Sequence, residues 1–150
     1  MQRKRVVVTG LGALTPIGNN VEAYWEGLKG GKSGGALITY FDTEKFKTKF
    51  ACELKGYDPM DHFDRKEARK LDRFAQYALV SSDEAIIDAG LDLDKVDKFR
   101  VGVIWGAGIV VLETFQTEVL NYARGDATPR FNPFFIPKMI TAIAPRIISI

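Results

Sequence analysis

The sequence predicts an α/β fold, and three patterns carry that prediction. A β-branched run at 6–8, ended by the glycine-rich turn TGLG at 9–12, is typical of a strand covered on both faces. Apolar residues then recur at helical spacing over 71–86, and a second apolar run follows at 101–105. Because strands and helices alternate along the chain, α/β is the expected class.

Local helix signals give the boundaries of the first helices. Asn20 is a suitable cap for a helix over roughly 21–29. Asp64 has the spacing of a capping box with the glutamate that follows it, and it opens a long helix toward Asp88. Gly90 is a suitable C-terminal stop for that helix.

Three further elements are predicted in the remaining segments. Apolar and polar residues alternate over 46–54, which indicates a half-exposed strand. The glycines at 106–108 turn the chain into an amphipathic helix through about Ala123. After three closely spaced prolines, a last short helix is expected over about 138–144, ending at or near Pro145.

Composition limits the function classes. The chain has 150 residues, 46% of them hydrophobic, and a net charge of +2. These totals fit one globular domain or part of a larger one, and they give no argument for nucleic acid or an anionic membrane as partner. No apolar stretch approaches the roughly 20 residues of a membrane span, and the apolar run after the basic N-terminus is too short for a signal peptide. We therefore expect a cytoplasmic location.

The sequence holds one cysteine, Cys52, and one histidine, His62, so an intrachain disulfide and a two-histidine metal site are excluded. Cys52 shares the apolar face of the alternating segment with Phe50 and Leu54, which predicts a buried structural cysteine rather than a nucleophile. His62 follows Asp61 in a polar segment before a helix, which favours a structural or solvated role over that of a catalytic base. We expect no metal.

Two glycine motifs invite a nucleotide site, and both depart from the required pattern. The turn at 9–12 would need a third Gly or Ala where Thr15 stands. The GKS sequence at 31–33 resembles the end of a phosphate loop, but Glu26 occupies the position of that loop's first glycine. A nucleotide-binding oxidoreductase is therefore disfavoured, and no cofactor is expected.

Two surface patterns leave alternatives open. A cationic stripe at helical spacing fits either a solvated helix face or a dock for an acidic partner; its members are Arg65, Lys66, Arg69, Lys70 and Arg73. A proline-interrupted apolar stretch fits the wall of an apolar cavity, an ordinary core or a subunit contact; its members are Phe131, Phe134, Phe135 and Ile136.

Five motifs lie in order along essentially the whole chain. They are RVVVTGLG at 5–12 with TPIG at 15–18, FDT at 41–43 with KFA at 49–51, DRKEARKLDRF at 64–74, GAGI at 106–109, and NPFFIP at 132–137. Together they resemble the N-terminal part of β-ketoacyl-ACP synthases of the type II elongating class. The resemblance implies the N-terminal part of a thiolase-like αβαβα condensing-enzyme fold, in the α/β class, and a homodimer.

The resemblance also implies a reaction and a partner. Members of the family perform a decarboxylative Claisen condensation in fatty-acid elongation. An active-site cysteine takes the acyl chain from acyl carrier protein, and malonyl-ACP loses carbon dioxide to give the attacking carbanion. The family's nucleophilic cysteine, two histidines and lysine lie beyond Ile150, so we expect the 150 residues to form an incomplete N-terminal ketosynthase segment with no catalytic residue of its own. The alternative is a non-catalytic fragment or a divergent copy that binds acyl carrier protein.

Residue by residue, the resemblance implies only binding roles. Lys66, Arg69 and Lys70 match basic positions that dock acyl carrier protein. Ile109 and Phe135 match positions that line the acyl pocket. One departure concerns residues 110 and 111, which are both valine where relatives commonly carry two glycines. Glycine allows a positive φ there, whereas β-branched residues are expected to crowd the start of the helix.

Overall fold

The computed structural model describes residues 4–126 and 128–149. Within those ranges the chain forms two antiparallel strands, β1 (Ala36–Leu37) and β2 (Phe50–Ala51), in which Ala36 lies opposite Ala51. The helices of the described chain are α1 (Val21–Lys29), α2 (Arg65–Ala68), α3 (Arg73–Asp88), α4 (Leu112–Arg124), α5 (Phe135–Met139) and α6 (Ile143–Ile148). None of these helices is both long enough and apolar enough to cross a bilayer.

Contacts within the chain define two compact units. Among the described residues, the first unit comprises 4–57 with 83–91, and the second comprises 58–82 with 92–149. The start of α3 belongs to the second unit, and its C-terminal end belongs to the first.

The first unit confirms the predicted helix at 21–29. The Asn20 side chain accepts a hydrogen bond from the Ala23 backbone N–H at 2.7 Å, as expected of a cap that satisfies one of the open donors of a helix start. Before the cap, Thr15 and Gly18 close a tight turn through two backbone hydrogen bonds of 2.9 and 3.2 Å. The turn and the cap together fix where α1 begins.

The last turns of α3 hold the segment that precedes α1. The Glu84 carboxylate accepts from the backbone N–H groups of Ala13 and Val21, both at 2.8 Å. One turn later, Asp88 accepts from the Leu11 N–H at 2.8 Å. Hydrogen bonds with an ionised acceptor are stronger than neutral ones. Residues 11–21 are therefore attached to α3 mainly through their backbone.

Gly10 has a packing reason to be glycine. A Cβ at this position would lie 2.2 Å from the Ala85 carbonyl oxygen and 2.6 Å from the Ala89 backbone nitrogen. Both neighbours are backbone atoms of the helical segment, so no side-chain rotation relieves the overlap. Close approach of the chain to the end of α3 thus explains why residue 10 is glycine.

Gly90 ends α3 as the sequence predicts. Its φ is +58°, its N–H donates to the Ile87 carbonyl at 3.0 Å, and the Leu91 N–H donates to the Ile86 carbonyl at 3.2 Å. These two bonds form a Schellman motif, which satisfies carbonyls that the helix end leaves open.

The second unit corrects the prediction of one long helix from Asp64 to Asp88. The cap at Asp64 is confirmed, since its Oδ1 accepts from the Lys66 and Glu67 N–H groups at 2.7 and 2.8 Å. However, α2 ends after four residues, and α3 begins only at Arg73. Asp72 starts the second helix, because its carbonyl accepts from Ala75 and Gln76 and its side chain from Phe74. An aspartate that can cap a new helix competes with continuation of the old one.

The core of the second unit lies along the predicted stripe of α3. Its buried members are Leu71, Ala75, Ala78 and Leu79 together with Ala144 from α6. Half-buried apolar side chains pack around them: Phe63, Phe74, Ile143, Ile147 and Ile148. Small residues at the centre of this cluster allow the neighbouring backbone to come close.

The predicted strands at 6–8 and 101–105 are wrong for this structure. Neither segment pairs with another strand among the described residues, and Val6 and Ile104 are 91% and 100% exposed. The predicted strand at 46–54 is reduced to the two residues of β2. A strand needs a neighbour to satisfy its backbone groups, and apolar pattern alone does not supply one.

The predicted helix at 138–144 is also wrong in its boundaries. The structure has two short helices instead, with α5 ending at Met139 and α6 starting at Ile143. Pro145 lies in the first turn of α6, where the N–H that proline lacks would have no partner inside the helix. Pro145 therefore helps to begin a helix rather than to end one.

Candidate functional site

The three basic residues predicted to dock a partner are grouped around α2. Lys66 lies within α2, Arg69 is its C-cap, and Lys70 lies in the turn that follows. All three are exposed, while Ala68 between them is buried. The short helix thus points its small residue at the core and presents its cations to solvent.

These cations line a groove of about 840 Å³ in the second unit. The facing wall is formed by the C-terminal half of α4 and by the loop that leads to α5. Its lining includes Glu118, Asn121, Tyr122, Arg130, Phe131 and Phe134. The structure therefore brings the predicted docking residues together with aromatic and amide groups that the sequence did not associate with them.

Positive charge dominates the groove. Its lining contains four cations, Lys66, Arg69, Lys70 and Arg130, against the carboxylates of Glu118 and Asp126. Each carboxylate has a neighbour of its own: Asp126 pairs with Arg130 at 3.4 Å, and Glu118 accepts from the Asn132 backbone N–H at 3.1 Å.

The three cations near α2 remain available for a ligand. None of the ion pairs within 4–126 and 128–149 involves Lys66, Arg69 or Lys70. The Thr128 backbone N–H, together with the Thr128 side chain, lowers the pKa of Asp126 below its ordinary value, so Asp126 stays ionised beside Arg130 at neutral pH. The cations that are least neutralised by neighbouring carboxylates, and therefore most favourable for an anionic ligand, lie on the α2 side of the groove.

A row of aromatic rings attaches the loop wall to α4. The ring centroids of Tyr122 and Phe131 are 5.5 Å apart, those of Phe131 and Phe135 are 5.8 Å apart, and those of Phe135 and Phe115 are 6.2 Å apart. Offset ring contacts at these distances are favourable. The loop that carries Arg130 is thus held on one face of α4.

The two residues expected in an acyl pocket occupy different surroundings. Phe135 is half-buried within the ring row, whereas Ile109 is 86% exposed in the segment before α4. Neither side chain lines the groove. Their acyl-pocket role stays a prediction.

The structure contradicts the prediction made for Cys52 and agrees with the prediction made for His62. Cys52 is exposed, so its assignment as a buried structural cysteine is wrong. It lies just beyond β2, where the strand pairing that would give it a buried face has ended. His62 is exposed and caps the 3-10 turn Pro59–Asp61, with its ring 6.4 Å from that of Phe63, as expected of a structural residue.

Sequence reasoning missed several polar residues around the start of α3, two of which bond to α4. The Thr114 hydroxyl donates a hydrogen bond to the Asp72 carboxylate, and Arg73 pairs with Glu113 at 3.8 Å. Gln76 is buried beside Ala75. A polar residue on the apolar stripe of α3 was a usable signal for Gln76, whereas no local pattern indicates which part of the chain faces Asp72.

The predicted crowding before α4 has a specific location. Val111, the N-cap of α4, has φ +64° and ψ +9° in the left-handed region and provides no side-chain cap. Among the described residues it is the only non-glycine with a positive φ. A β-branched side chain is poorly suited to this conformation.

Comparison with known families gives a match over nearly the whole chain. Residues 3–150 match the family model described as the β-ketoacyl synthase N-terminal domain. The chain is 46% identical over 150 residues to the 3-oxoacyl-[acyl-carrier-protein] synthase 2 of Staphylococcus aureus strain COL, covering 99% of this chain and 36% of that protein. It is 44% identical over 147 residues to the Synechocystis protein of the same name, covering 96% of this chain and 34% of that protein. The chain thus spans about a third of the length of these curated relatives.

Solved structures agree with the sequence matches. The ishigamide ketosynthase/chain length factor aligns with a TM-score of 0.79 and 29% identity, covering 99% of this chain and 37% of that chain. A type II PKS acyl-carrier protein in complex with its ketosynthase, AntDE:AntF, aligns with a TM-score of 0.76 and 26% identity, covering 98% of this chain and 38% of that chain. The fold class expected from the sequence, the N-terminal part of a thiolase-like α/β fold, is confirmed.

Proposed function

The chain belongs to the β-ketoacyl synthase family, and from that membership we propose that it serves the condensation of an acyl thioester with malonyl-ACP in fatty-acid elongation. Within that reaction we assign these residues a binding role: the α2 side of the groove receives acyl carrier protein. The observation that carries the proposal is the cluster of Lys66, Arg69 and Lys70, exposed in one groove and outside the described ion pairs.

Electrostatics favours an acidic protein as the occupant of the groove. Unlike charges raise the rate of encounter and fix the orientation of the partner, while aromatic rings such as those of Tyr122 and Phe131 add contact area once it is seated. The ketosynthase of the AntDE:AntF complex is bound by an acyl-carrier protein, which supports the same class of partner here.

We assign the chemical step to neither Cys52 nor His62. Condensation needs a thiolate activated by a neighbouring group and donors placed for the developing oxyanion. Cys52 is exposed beyond the end of β2, and His62 caps a short turn. We therefore expect the 150-residue chain to bind carrier protein without forming ketoacyl-ACP, and a condensation assay on the purified chain that yields product would contradict this division of roles.

Charge reversal tests the docking proposal. The triple variant Lys66→Glu, Arg69→Glu, Lys70→Glu is titrated with fluorescently labelled acyl carrier protein at low and at moderate salt. We expect Kd to rise about tenfold or more, which corresponds to roughly 1.4 kcal/mol, with a smaller effect as salt screens the charges. Circular dichroism checks that the variant keeps its helices.

A matched control separates local docking from overall charge. Lys45, Lys47 and Lys49 are exposed lysines of the first unit, and their reversal to glutamate changes the net charge by the same amount. We expect this control to bind within about twofold of the unmodified chain, since screened charges outside the contact contribute little. Equal weakening by both triples, or no measurable binding by the unmodified chain, would remove the proposed function.

We also propose a cytoplasmic homodimer as the working form. The three consecutive exposed valines at 6–8 support association, because monomeric proteins rarely leave contiguous apolar side chains in solvent. Light scattering coupled to size-exclusion chromatography tests it, and a monomer at all accessible concentrations would contradict it.

A further inference from the structure

The buried side chain of Gln76 is the starting observation. It lies in the first turns of α3 at 5% exposure, and it is the one polar residue of the buried class within the described part of the chain. Burial of an amide away from water is costly unless the amide is hydrogen-bonded. Its partners therefore show what the burial achieves.

The Gln76 amide bonds to the end of α2 and to the turn that follows it. Its Nε2 donates to the Ala68 carbonyl at 3.0 Å and to the Leu71 carbonyl at 3.5 Å. Ala68 is the last residue of α2, and the final carbonyls of a helix have no partner within it. The backbone bond from the Leu71 N–H to the Ala68 carbonyl is long, at 3.4 Å. The Lys70 N–H also donates to the Glu67 carbonyl at 2.9 Å, so the backbone closes part of the turn and the Gln76 side chain adds the bonds that join α3 to the end of α2.

A helix of four residues is too short to be stable alone. α2 is held at its start by the Asp64 cap and at its end by Gln76. Lys66 lies between these two attachments, and Arg69 and Lys70 lie in the turn to which the amide bonds. The direction in which the cations point is therefore coupled to the hydrogen bonds of a buried side chain, in addition to the backbone bonds of the turn and the Asp64 cap.

We propose that Gln76 is a positioning residue for carrier-protein docking: its buried amide holds the α2–α3 turn in the conformation that presents Lys66, Arg69 and Lys70 to the groove. This inference rests on the proposed function, because it assumes that those cations meet an acidic partner. Presenting the charges in advance avoids the entropic cost of ordering the turn during binding.

The test compares Gln76→Leu with Leu79→Ala. The first variant keeps similar volume but removes both donors. The second destabilises the same helix at a buried position outside the α2–α3 turn. Carrier-protein Kd is measured for each at temperatures where circular dichroism shows full folding, together with amide hydrogen exchange of residues 66–71.

We expect Gln76→Leu to raise Kd about fivefold or more, to weaken its salt dependence and to speed exchange at 66–71. Leu79→Ala is expected to bind like the unmodified chain even though it unfolds more easily. If Gln76→Leu does not fold, Gln76→Met provides the same loss of donors on an adaptable side chain of equal length.

Two results would separate this inference from the function on which it rests. If the groove triple weakens binding and the Gln76 variants bind like Leu79→Ala, the positioning role is wrong and the docking proposal stands. If the groove triple itself binds like the unmodified chain, the docking proposal fails, and the inference fails with it.

Discussion

The left-handed conformation of Val111 gives a prediction in which two adjacent positions should respond in opposite ways. Val111 has φ +64° at the start of α4, while Val110 has no positive φ. The test replaces each valine by glycine and by alanine, which gives two pairs of variants. Within each pair the lost valine side chain is the same, so the difference between Gly and Ala reports mainly the backbone.

The expected magnitudes follow from the backbone angles. At Val111, alanine keeps a Cβ in the left-handed region, which costs about 1–2 kcal/mol. Glycine avoids that cost, but the greater conformational freedom of glycine in the unfolded chain lowers the free energy of unfolding by about 0.4–1 kcal/mol. The net expectation is that Val111→Gly is more stable than Val111→Ala by about 1 kcal/mol. At Val110 only the unfolded-state effect operates, so Val110→Ala should be the more stable by about 0.4–1 kcal/mol.

Urea unfolding followed by circular dichroism measures the four free energies of unfolding. For a chain of this size, about 1 kcal/mol also corresponds to roughly 2–4 °C in Tm, so thermal melts give an independent reading. If alanine is as stable as glycine at Val111, or if both positions prefer the same residue, the argument from the left-handed N-cap is wrong.

Two further predictions concern the first unit and a surface ion pair. Gly10→Ala should lower the free energy of unfolding by at least about 2 kcal/mol, because the new Cβ would overlap the Ala85 carbonyl. Gly102→Ala, which adds a Cβ with nothing within 4 Å, is the control and should be nearly neutral; similar losses for both would contradict the close approach. In an NMR titration the pKa of Asp92 should lie below its ordinary 3.8, because the Lys95 ammonium donates to its carboxylate at 2.7 Å. The stability that this ion pair contributes should be present above the pKa of Asp92 in the unfolded chain and be lost as the pH falls through its pKa in the folded chain. Lys95→Met should raise the pKa of Asp92, and an unchanged pKa in that variant would refute the assignment.

Helix boundaries set by local chemistry could be read from the sequence. The caps at Asn20 and Asp64 and the stop at Gly90 each depend on groups within a few residues of one another, so their identity and spacing were sufficient. The buried stripe of α3 was also predictable, because helical periodicity is a property of the segment itself.

Features that depend on distant parts of the chain could not be read in this way. The apolar runs at 6–8 and 101–105 have the composition of strands, but a strand is defined by the neighbour that pairs with it. The break before α3 depends on Asp72, whose side chain contacts both Phe74 and the distant Thr114. No sequence pattern near Asp72 predicts its contact with Thr114.

In the candidate site, too, one part could be predicted from a local segment and the other part depends on distant segments. The cationic cluster containing Lys66, Arg69 and Lys70 was visible in the sequence, and the structure places all three in one groove, although the continuous helix on which their spacing was predicted is broken after Ala68. The opposite wall, with Tyr122 and Arg130, comes from a segment more than fifty residues later in the chain. The position of this wall depends on ring contacts with α4, such as that between Tyr122 and Phe131, which join segments that are separate in the sequence.

The attachment of residues 11–21 to the end of α3 has a consequence for biosynthesis. Leu11 and Asp88 are separated by 77 positions, and Val21 and Glu84 by 63. On the ribosome, the earlier segment emerges long before the carboxylates that hold it have been made, and closing so large a loop is entropically costly until α3 exists. Until α3 has been made, residues 11–21 lack the carboxylates that hold their backbone, so they should remain unordered and accessible to proteases during that part of synthesis.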